Sequence, residues 1–342
     1  MLAPPLTLPV MPRAERQKAA TPTRPAVATA DHARTFVADH RKQAATLGRG
    51  LAQYVGDPAD LAAALRRALM KLADPIYRTG QAFVAPGIGA THGVRNPLLQ
   101  TLGRGFRSAT RADSPTSLLL AADRLLREPE LEAHWFAFGI LEATLPRETE
   151  RSWQVIRHAG REARDWITVD ALAHTIGRGV LAEPFRWAEL EQLVYAPSRW
   201  ERRLVGSTIA TIPFVDRTTG RDPEVAARGL AILGLLIGDS EPDVQKALAW
   251  AYRSMALVDL ASTTDALRLQ ADRAKRDGDG HRAWVIRDVL AKLDPEPAAA
   301  MRQTLNGLRR RPGASSTSEA AAIAARFTDL GLGRPMPEPP LT

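Results

Sequence analysis

The sequence predicts an all-α fold, an α-solenoid of paired, HEAT-like helical repeats. Apolar residues recur at intervals of three and four in DLAAALRRALMKLA, SPTSLLLAADRLL, ELEAHWFAFGILEATL and HRAWVIRDVLAKL, which is the spacing of one face of an α-helix. No segment has the alternating pattern of a β-strand, and the loops are short. At about 40 residues per helix pair, the chain has room for roughly seven repeats. A compact helical bundle is the alternative architecture.

Several of these segments follow residues that favour a helix N-terminus. Asp57, Ser114 and Asp222 each precede a proline, and Asp239 precedes a serine. A side-chain oxygen at this position accepts a hydrogen bond from the first free backbone N–H groups, and proline presets the helical φ angle. These positions are therefore predicted starts of helices.

The composition divides the chain into three parts. Residues 1–30 are proline-rich and mildly basic, which indicates a disordered arm. Residues 31–310 carry the helical pattern and are predicted to form the repeat domain. Residues 311–342 are predicted to be a loosely ordered tail with one short Ala-rich helix.

The charge and the cysteine count narrow the classes of function. The formal net charge is +8, which favours attraction to polyanions such as nucleic acid. The chain has no cysteine, which excludes disulfides, thiol catalysis and cysteine-ligated metal. Motifs of metal, nucleotide and acyl-transfer chemistry are missing from the sequence. With no apolar run long enough to span a membrane and no signal-like leader, we expect a cytoplasmic protein.

Two predicted helices carry an aromatic and a charged residue on a face away from the apolar stripe. In WITVDALAHTIG, Trp166 and Asp170 share a face with Ala173 and Gly177. The helix in SRWERRLVGSTIATIPF repeats the arrangement, and its outward residues are predicted to be Trp200, Arg203, Gly206, Ser207 and Ala210. Small side chains on both faces are predicted to leave room for another molecule.

A third helix, DVQKALAWAYRSMAL, places Lys246, Trp250 and Arg253 opposite its core face. The cations suit phosphates, and the indole suits a sugar or a base. In a solenoid the second helices of successive pairs line one concave surface, so the three faces are expected to converge in a basic groove.

Structural explanations compete with this interpretation. A Trp beside a charge is usually a packing residue with a solvated neighbour. Asp170 is also suited to cap a helix that starts at Ala171, and Lys246 with Arg253 to form a solvated stripe. Trp135, next to Phe136, is expected in the core.

Four segments, in chain order, resemble a known family. They are HGVRNPLLQTLGR, DWITVD, RWERRLV and EPDVQKALAWAYR, of which the last is the most specific. They are similar to segments of the AlkD-like DNA alkylation-repair glycosylases, which are HEAT-like-repeat proteins, and the similarity covers roughly residues 85–260. Asp165 and Ile167 stand where members of that family often have Trp and Asp.

The resemblance implies hydrolysis of the N-glycosidic bond of N3- or N7-alkylated, cationic purines in duplex DNA during base excision repair. It implies a DNA-3-methyladenine/7-alkylguanine-type glycosylase that needs no metal or cofactor and leaves the lesion unflipped. We also expect the protein to be a monomer. Carried over to this sequence, Trp166, Asp170 and Arg203 are the expected catalytic residues, and Trp250 is the second aromatic wall. The choice between small methyl lesions and bulky adducts stays open.

These roles agree with the chemistry of the residues. A cationic base is already a good leaving group, so one carboxylate is enough to stabilise the sugar cation and orient water. Asp170 fits this task, and the faces of Trp166 and Trp250 attract positive charge. Arg203 is expected to hold a flanking phosphate.

Other residues are expected to contact the DNA itself. These predicted DNA-binding residues are Trp250, Lys246, Arg253, Trp200 and Arg95. Two other functions compete with glycosylase activity: a non-catalytic binder of DNA structures on the same scaffold, and a protein-binding HEAT scaffold.

Overall fold

The computed structural model describes residues 30–85 and 89–329, and this part of the chain is all-α. It contains sixteen α-helices and no β-strand; the only β-type pairings in this part are two isolated bridges. The predicted arm, except for Ala30, lies outside the described residues. The helices are α1 (Ala30–Leu51), α2 (Pro58–Lys71), α3 (Pro75–Val84), α4 (Asn96–Ala109), α5 (Pro115–Leu125), α6 (Leu131–Thr144), α7 (Thr149–Glu162), α8 (Trp166–Ala182), α9 (Arg186–Gln192), α10 (Arg199–Val215), α11 (Pro223–Leu236), α12 (Pro242–Met255), α13 (Leu260–Asp277), α14 (Gly280–Val289), α15 (Pro295–Thr304) and α16 (Glu319–Asp329).

The helices pack in two rows. In the first row α4, α6, α8, α10, α12 and α14 each contact the next. A second row covers one side of the first, with α5 against α6, α7 against α8, α11 against α12 and α13 against α14. One continuous hydrophobic core runs between the rows. The predicted all-α solenoid is confirmed. Among the described helices, none combines the length and apolar character needed to cross a membrane.

Polar side chains start many of these helices, as the sequence predicts. Asp57 caps α2 by accepting hydrogen bonds from two backbone N–H groups, and Asp222 caps α11. Ser114 precedes α5 without a side-chain cap. Asp239 was predicted to be a helix start, but Glu241 occupies the N-cap position of α12. The Asp239 carboxylate instead accepts from the Glu241 N–H and pairs with Arg202.

Helix α10 is the most enclosed helix of the first row, and this corrects the predicted outward face. Gly206, Ser207 and Ala210 are buried, as is every residue from Arg203 to Pro213. A Cβ atom added at Gly206 would lie 3.0 Å from the Ala247 Cβ of α12. The small residues therefore serve close packing of α10 against α12 and leave no room for a further molecule.

The same correction applies to α8. Ala173 and Gly177, expected beside open space, are buried. An added Cβ at Gly177 would lie 3.5 Å or less from side chains of Ile212 and Val215 on α10. Periodicity finds the apolar stripe of α8, but the small-residue stripe is a second packing surface, because α8 has a neighbour on each side.

The chain after α15 folds back onto both rows, where it contacts α11 and the loop that leads into α12. The Thr317 N–H donates to the Gly238 carbonyl at 2.9 Å, and α16 packs against α11. The imidazole of His281 is hydrogen-bonded both to the Gln245 side chain and to the Ala314 carbonyl. The segment between α15 and α16 thus covers the loop before α12 and the start of α14.

Substitution of Gly206 by Ala should destabilise the protein. The new methyl group would press on the backbone and side chain of Ala247, and such overpacking costs roughly 1–3 kcal/mol. The matched control is Gly234→Ala in α11, where the nearest atom to the added Cβ is the Gln270 amide at 3.7 Å. We expect the control to be neutral or stabilised by up to about 1 kcal/mol. Urea unfolding measures both variants, and an unchanged G206A would contradict the packing of α10 on α12.

Candidate functional site

Asp170 and Arg203 form a bidentate ion pair between α8 and α10. The Arg203 Nη2 atom lies 2.8 Å from Asp170 Oδ2, and Nε lies 3.1 Å from Oδ1. Ser207, one turn further along α10, donates its hydroxyl to the same Oδ1 at 2.6 Å. Three donors on one helix thus fix the carboxylate of the next. This geometry is the preferred one for a strong, oriented arginine–carboxylate pair.

The Arg203 side chain also reaches α12 and Trp166. Its Nη1 atom donates to the Asp243 carbonyl at 2.6 Å, and its guanidinium carbon lies 5.9 Å from the centre of the indole ring. The side chain is only 6% exposed. Three of its five N–H donors are therefore engaged by protein oxygens, and the expected grip on a flanking phosphate is not the role this geometry favours.

The Asp170 carboxylate keeps one side towards solvent. Its side chain is 20% exposed, whereas Oδ2 accepts a hydrogen bond from Arg203 alone among the described residues. A carboxylate oxygen has two lone pairs, so Oδ2 can still accept one more hydrogen bond from outside. The indole of Trp166, one turn before Asp170 on α8, is 37% exposed beside it.

Asp165 is the N-cap of α8, which accounts for one departure from the family pattern. Its carboxylate accepts hydrogen bonds from the Thr168 N–H at 2.8 Å and from the Thr168 hydroxyl at 2.7 Å. Because α8 begins at Trp166, Asp170 lies inside the helix, and the alternative in which Asp170 caps a helix starting at Ala171 is wrong. Nothing in the structure explains Ile167.

Arg95 does not lie at the surface, contrary to its expected DNA contact. Its side chain is about 10% exposed, and its Nε atom lies 2.7 Å from Asp74 Oδ2. Its guanidinium stacks on Tyr77, 4.9 Å from the ring centre. Hydrogen bonds from Arg95 and from the Tyr77 backbone lower the pKa of Asp74 despite its burial. The geometry assigns Arg95 to a buried ion pair at the start of α3.

The residues of α12 and α10 that are expected to contact DNA differ in their exposure and in their partners. Lys246 is exposed, and Trp250 is half-buried against the core. Arg253 forms an ion pair with Asp288 of α14, which neutralises its charge. Trp200 is half-buried beneath the Arg199 guanidinium, 4.7 Å from it. Among the described contacts, none joins Trp250 directly to Asp170 or Arg203.

A cavity of about 620 Å³ adjoins Asp170 on the other side, between α4, α6 and α8. Three arginines line it, Arg104 and Arg107 from α4 and Arg178 from α8, together with the carboxylate of Glu142. Desolvation by the cavity wall, assisted by the charge of Arg178, lowers the pKa of the lining His174 imidazole. The sequence did not predict this cavity, because it does not tell which faces of three helices meet.

Trp135 also lines this cavity, which corrects its expected place in the core. The residue is half-buried, and its indole N–H is buried without an acceptor in the described part of the chain. Phe136 and Phe138, its neighbours on α6, are buried. No cluster of metal-ligand residues occurs among residues 30–85 and 89–329.

These features define an all-α solenoid protein with an oriented, partly exposed carboxylate beside an exposed tryptophan. Residues 65–278 match a family model described as DNA alkylation repair enzyme. Because the match covers more than half of the chain, the protein belongs to this family of DNA alkylation repair enzymes, as its sequence motifs predicted. The search of curated proteins found no match. The matched range contains Trp166, Asp170, Arg203, Trp250 and the whole arginine-lined cavity.

Replacing Asp165 by Ala should weaken the start of α8. The loss of the N-cap hydrogen bond to Thr168 is expected to cost about 1 kcal/mol of stability, whereas Asp165→Asn, which retains an acceptor, should cost much less. Thermal unfolding of the two variants gives the comparison. Equal stability of D165A and the unchanged protein would contradict the capping role.

Replacing Arg203 by Lys tests whether its role is to orient Asp170. An ammonium group keeps the charge but cannot bridge both carboxylate oxygens and the Asp243 carbonyl, so the free energy of unfolding should fall by about 1–3 kcal/mol. The exposed Arg302 on α15 provides the control, since Arg302→Lys should leave stability unchanged. If R203K is as stable as R302K, the ion pair does not hold α8, α10 and α12 together.

Proposed function

We propose that this protein is a DNA glycosylase that hydrolyses the N-glycosidic bond of N3- or N7-alkylated purines in duplex DNA. The observation that supports this most directly is the Asp170 carboxylate, held by Arg203 and Ser207 with one lone pair of Oδ2 left without a donor among the described residues. A carboxylate inside a basic DNA-repair protein opposes DNA binding, so a chemical role accounts for its presence beside Trp166.

The reaction follows from the charge on the base. Alkylation gives the purine a positive charge, and when the bond from C1′ to the ring nitrogen breaks, the electron pair leaves with the base, which becomes neutral. The deoxyribose acquires oxocarbenium character. Water then attacks C1′ and loses one proton, which the Asp170 carboxylate or solvent accepts. No general acid is needed, because the leaving group does not require protonation.

The enzyme stabilises the developing positive charge with groups already in place. The free lone pair of Asp170 Oδ2 binds the attacking water, and the negative carboxylate faces the sugar. The indole of Trp166 offers its π face to the same charge. Arg203 and Ser207 act as positioning residues that hold the carboxylate in one orientation, so little reorganisation is needed in the transition state.

The substrate is duplex DNA bound along the first row of helices in a concave basic groove. Lys246 and Trp250 of α12 lie beyond Arg203 along this row and extend the contact surface on that side of Asp170. The protein acts as a monomer, reads the lesion without flipping it and works in base excision repair without a metal or cofactor. A lesion that is read without flipping does not have to fit a closed base pocket, so both small and larger adducts are compatible with this proposal.

A second function is supported by one observation. The ion pair between Asp170 and Arg203 links α8 with α10, and the bond to Asp243 extends it to α12, so the carboxylate has a structural use without catalysis. A non-catalytic protein that binds damaged or distorted DNA would have the same contacts. The two functions differ in whether the base is released.

Asp170→Asn separates the two functions. Asparagine keeps the size of the side chain but removes the negative charge, so release of 3-methyladenine and 7-methylguanine from methylated duplex DNA should fall by at least about 100-fold. Duplex affinity should stay equal or rise, because an anion has been removed from the binding surface. Chromatography of released bases and fluorescence anisotropy of a labelled duplex measure the two effects.

The control is Asp272→Asn, the same change of charge at an exposed residue in the middle of α13. It should release bases at the rate of the unchanged protein. If D170N is as active as D272N, Asp170 is not catalytic. If the unchanged protein binds the duplex with strong salt dependence but releases neither base, the non-catalytic function is the correct one.

A further inference from the structure

The cavity beside Asp170 contains more positive charge than its surroundings balance. Arg104, Arg107 and Arg178 line it, and Glu142 is the one carboxylate besides Asp170 among the lining residues. Glu142 is already engaged: its Oε2 lies 3.5 Å from Arg178 Nε, and its Oε1 accepts from the Thr175 hydroxyl. Asp170 is paired with Arg203. The cavity therefore keeps an excess of cations.

Arg107 is the arginine without a partner in this cluster. Within residues 30–85 and 89–329 it makes no hydrogen bond and no ion pair, although it is only partly exposed. Burial lowers the pKa of its guanidinium, and the attraction of the Glu142 carboxylate, opposed by repulsion from Arg104 and Arg178, offsets only part of this effect. A partly desolvated cation without a direct ion pair is costly, and proteins normally pair such a group. An anion from outside would supply the missing partner.

Two glycines leave the space that the Arg107 guanidinium occupies. A Cβ atom added at Gly139 of α6 would lie 2.8 Å from Arg107 Nη1, and one added at Gly103 of α4 would lie 3.0 Å from it. The guanidinium thus packs against the backbone of two helices at their glycines. A larger side chain at either glycine would occupy the same space. The indole N–H of Trp135, without an acceptor in the described chain, lines the same cavity.

We propose that this cavity is a phosphate subsite, in which Arg107 binds one backbone phosphate of the DNA strand close to the nucleotide at Asp170. The inference rests on the proposed function for the identity of the anion. A guanidinium matches a phosphate with two parallel N–H···O bonds, and Arg104 and Arg178 add long-range attraction. Arg107 thereby takes the phosphate-holding role that the sequence suggested for Arg203, three of whose five N–H donors already bind protein oxygens.

Single-site neutralisation of the DNA backbone tests the subsite. A set of duplexes, each with one phosphate near the lesion replaced by an uncharged methylphosphonate, is titrated against the protein by fluorescence anisotropy. For the unchanged protein, one position should weaken binding about 10- to 100-fold. The Arg107→Gln variant should bind the natural duplex with the same loss of affinity. Neutralising the sensitive phosphate should not weaken its binding further. The slope of log Kd against the logarithm of the salt concentration should decrease by the amount that corresponds to about one phosphate contact.

Gly139→Ala provides a second variant that removes no charge. Its methyl group displaces the far end of the Arg107 side chain, which can move without unfolding the helix. G139A should therefore lose sensitivity at the same phosphate as R107Q. Arg302→Gln, the same charge change at an exposed residue of α15, should keep the full methylphosphonate profile. The melting temperature of R107Q should be unchanged or higher, because a desolvated cation is removed.

The outcomes separate this inference from the proposed function. If R107Q binds every duplex as R302Q does, or if it unfolds and so shows that Arg107 is structural, the phosphate subsite is wrong, whatever bases are released. If one phosphate depends on Arg107 but no alkylated base is released, the subsite stands and the glycosylase proposal fails. Loss of sensitivity at all phosphates alike would also overturn the subsite, because it would indicate a general field effect.

Discussion

The ion pair between Asp170 and Arg203 is the interaction on which the rest of the candidate site depends. It joins α8 to α10, and the hydrogen bond from Arg203 to the Asp243 carbonyl adds α12. Pairs of this kind in a protein interior contribute little net stability relative to apolar packing, since desolvation offsets their attraction. What the pair supplies is orientation: with Ser207 it fixes both carboxylate oxygens and leaves one lone pair of Oδ2 without a donor among the described residues.

The close approach of three helices makes this pair possible. Gly206 lets α10 lie against Ala247 of α12, and Gly177 lets α8 lie against Ile212 and Val215 of α10. An arginine side chain spans both neighbours only if the helix axes are near. The small residues that the sequence suggested were open to an incoming molecule therefore serve the site indirectly, by bringing Arg203 within reach of Asp170 and Asp243 together.

The sequence was sufficient to predict the all-α fold, the helix caps at Asp57 and Asp222, and the family. It also selected Trp166, Asp170 and Arg203, which the structure brings together. Periodicity locates a residue by its angle around one helix, and that angle does not tell how many neighbours the helix has. Because α10 has a neighbour on each flank of the row, four of the five residues predicted on its outer face are buried. The contacts of Arg203 and the packing of Arg107 can be predicted only if the positions of several helices are known together. One sequence does not give those positions explicitly.

The structure also changes the electrostatic argument about an acid in a basic DNA-repair protein. A free carboxylate would repel every nearby phosphate, but Asp170 and Arg203 together carry no net charge, so at distances of several ångströms their field largely cancels. At close range the carboxylate end of the pair is still negative. Arg203 approaches it from α10, and Oδ2 keeps a lone pair that can bind another group. A sugar cation in contact with Asp170 would experience that negative end, while the phosphates on either side would experience a neutral pair and the excess arginines of the adjoining cavity. Under the proposed function, pairing the carboxylate lets one surface attract a polyanion and stabilise a cation at a single point within it.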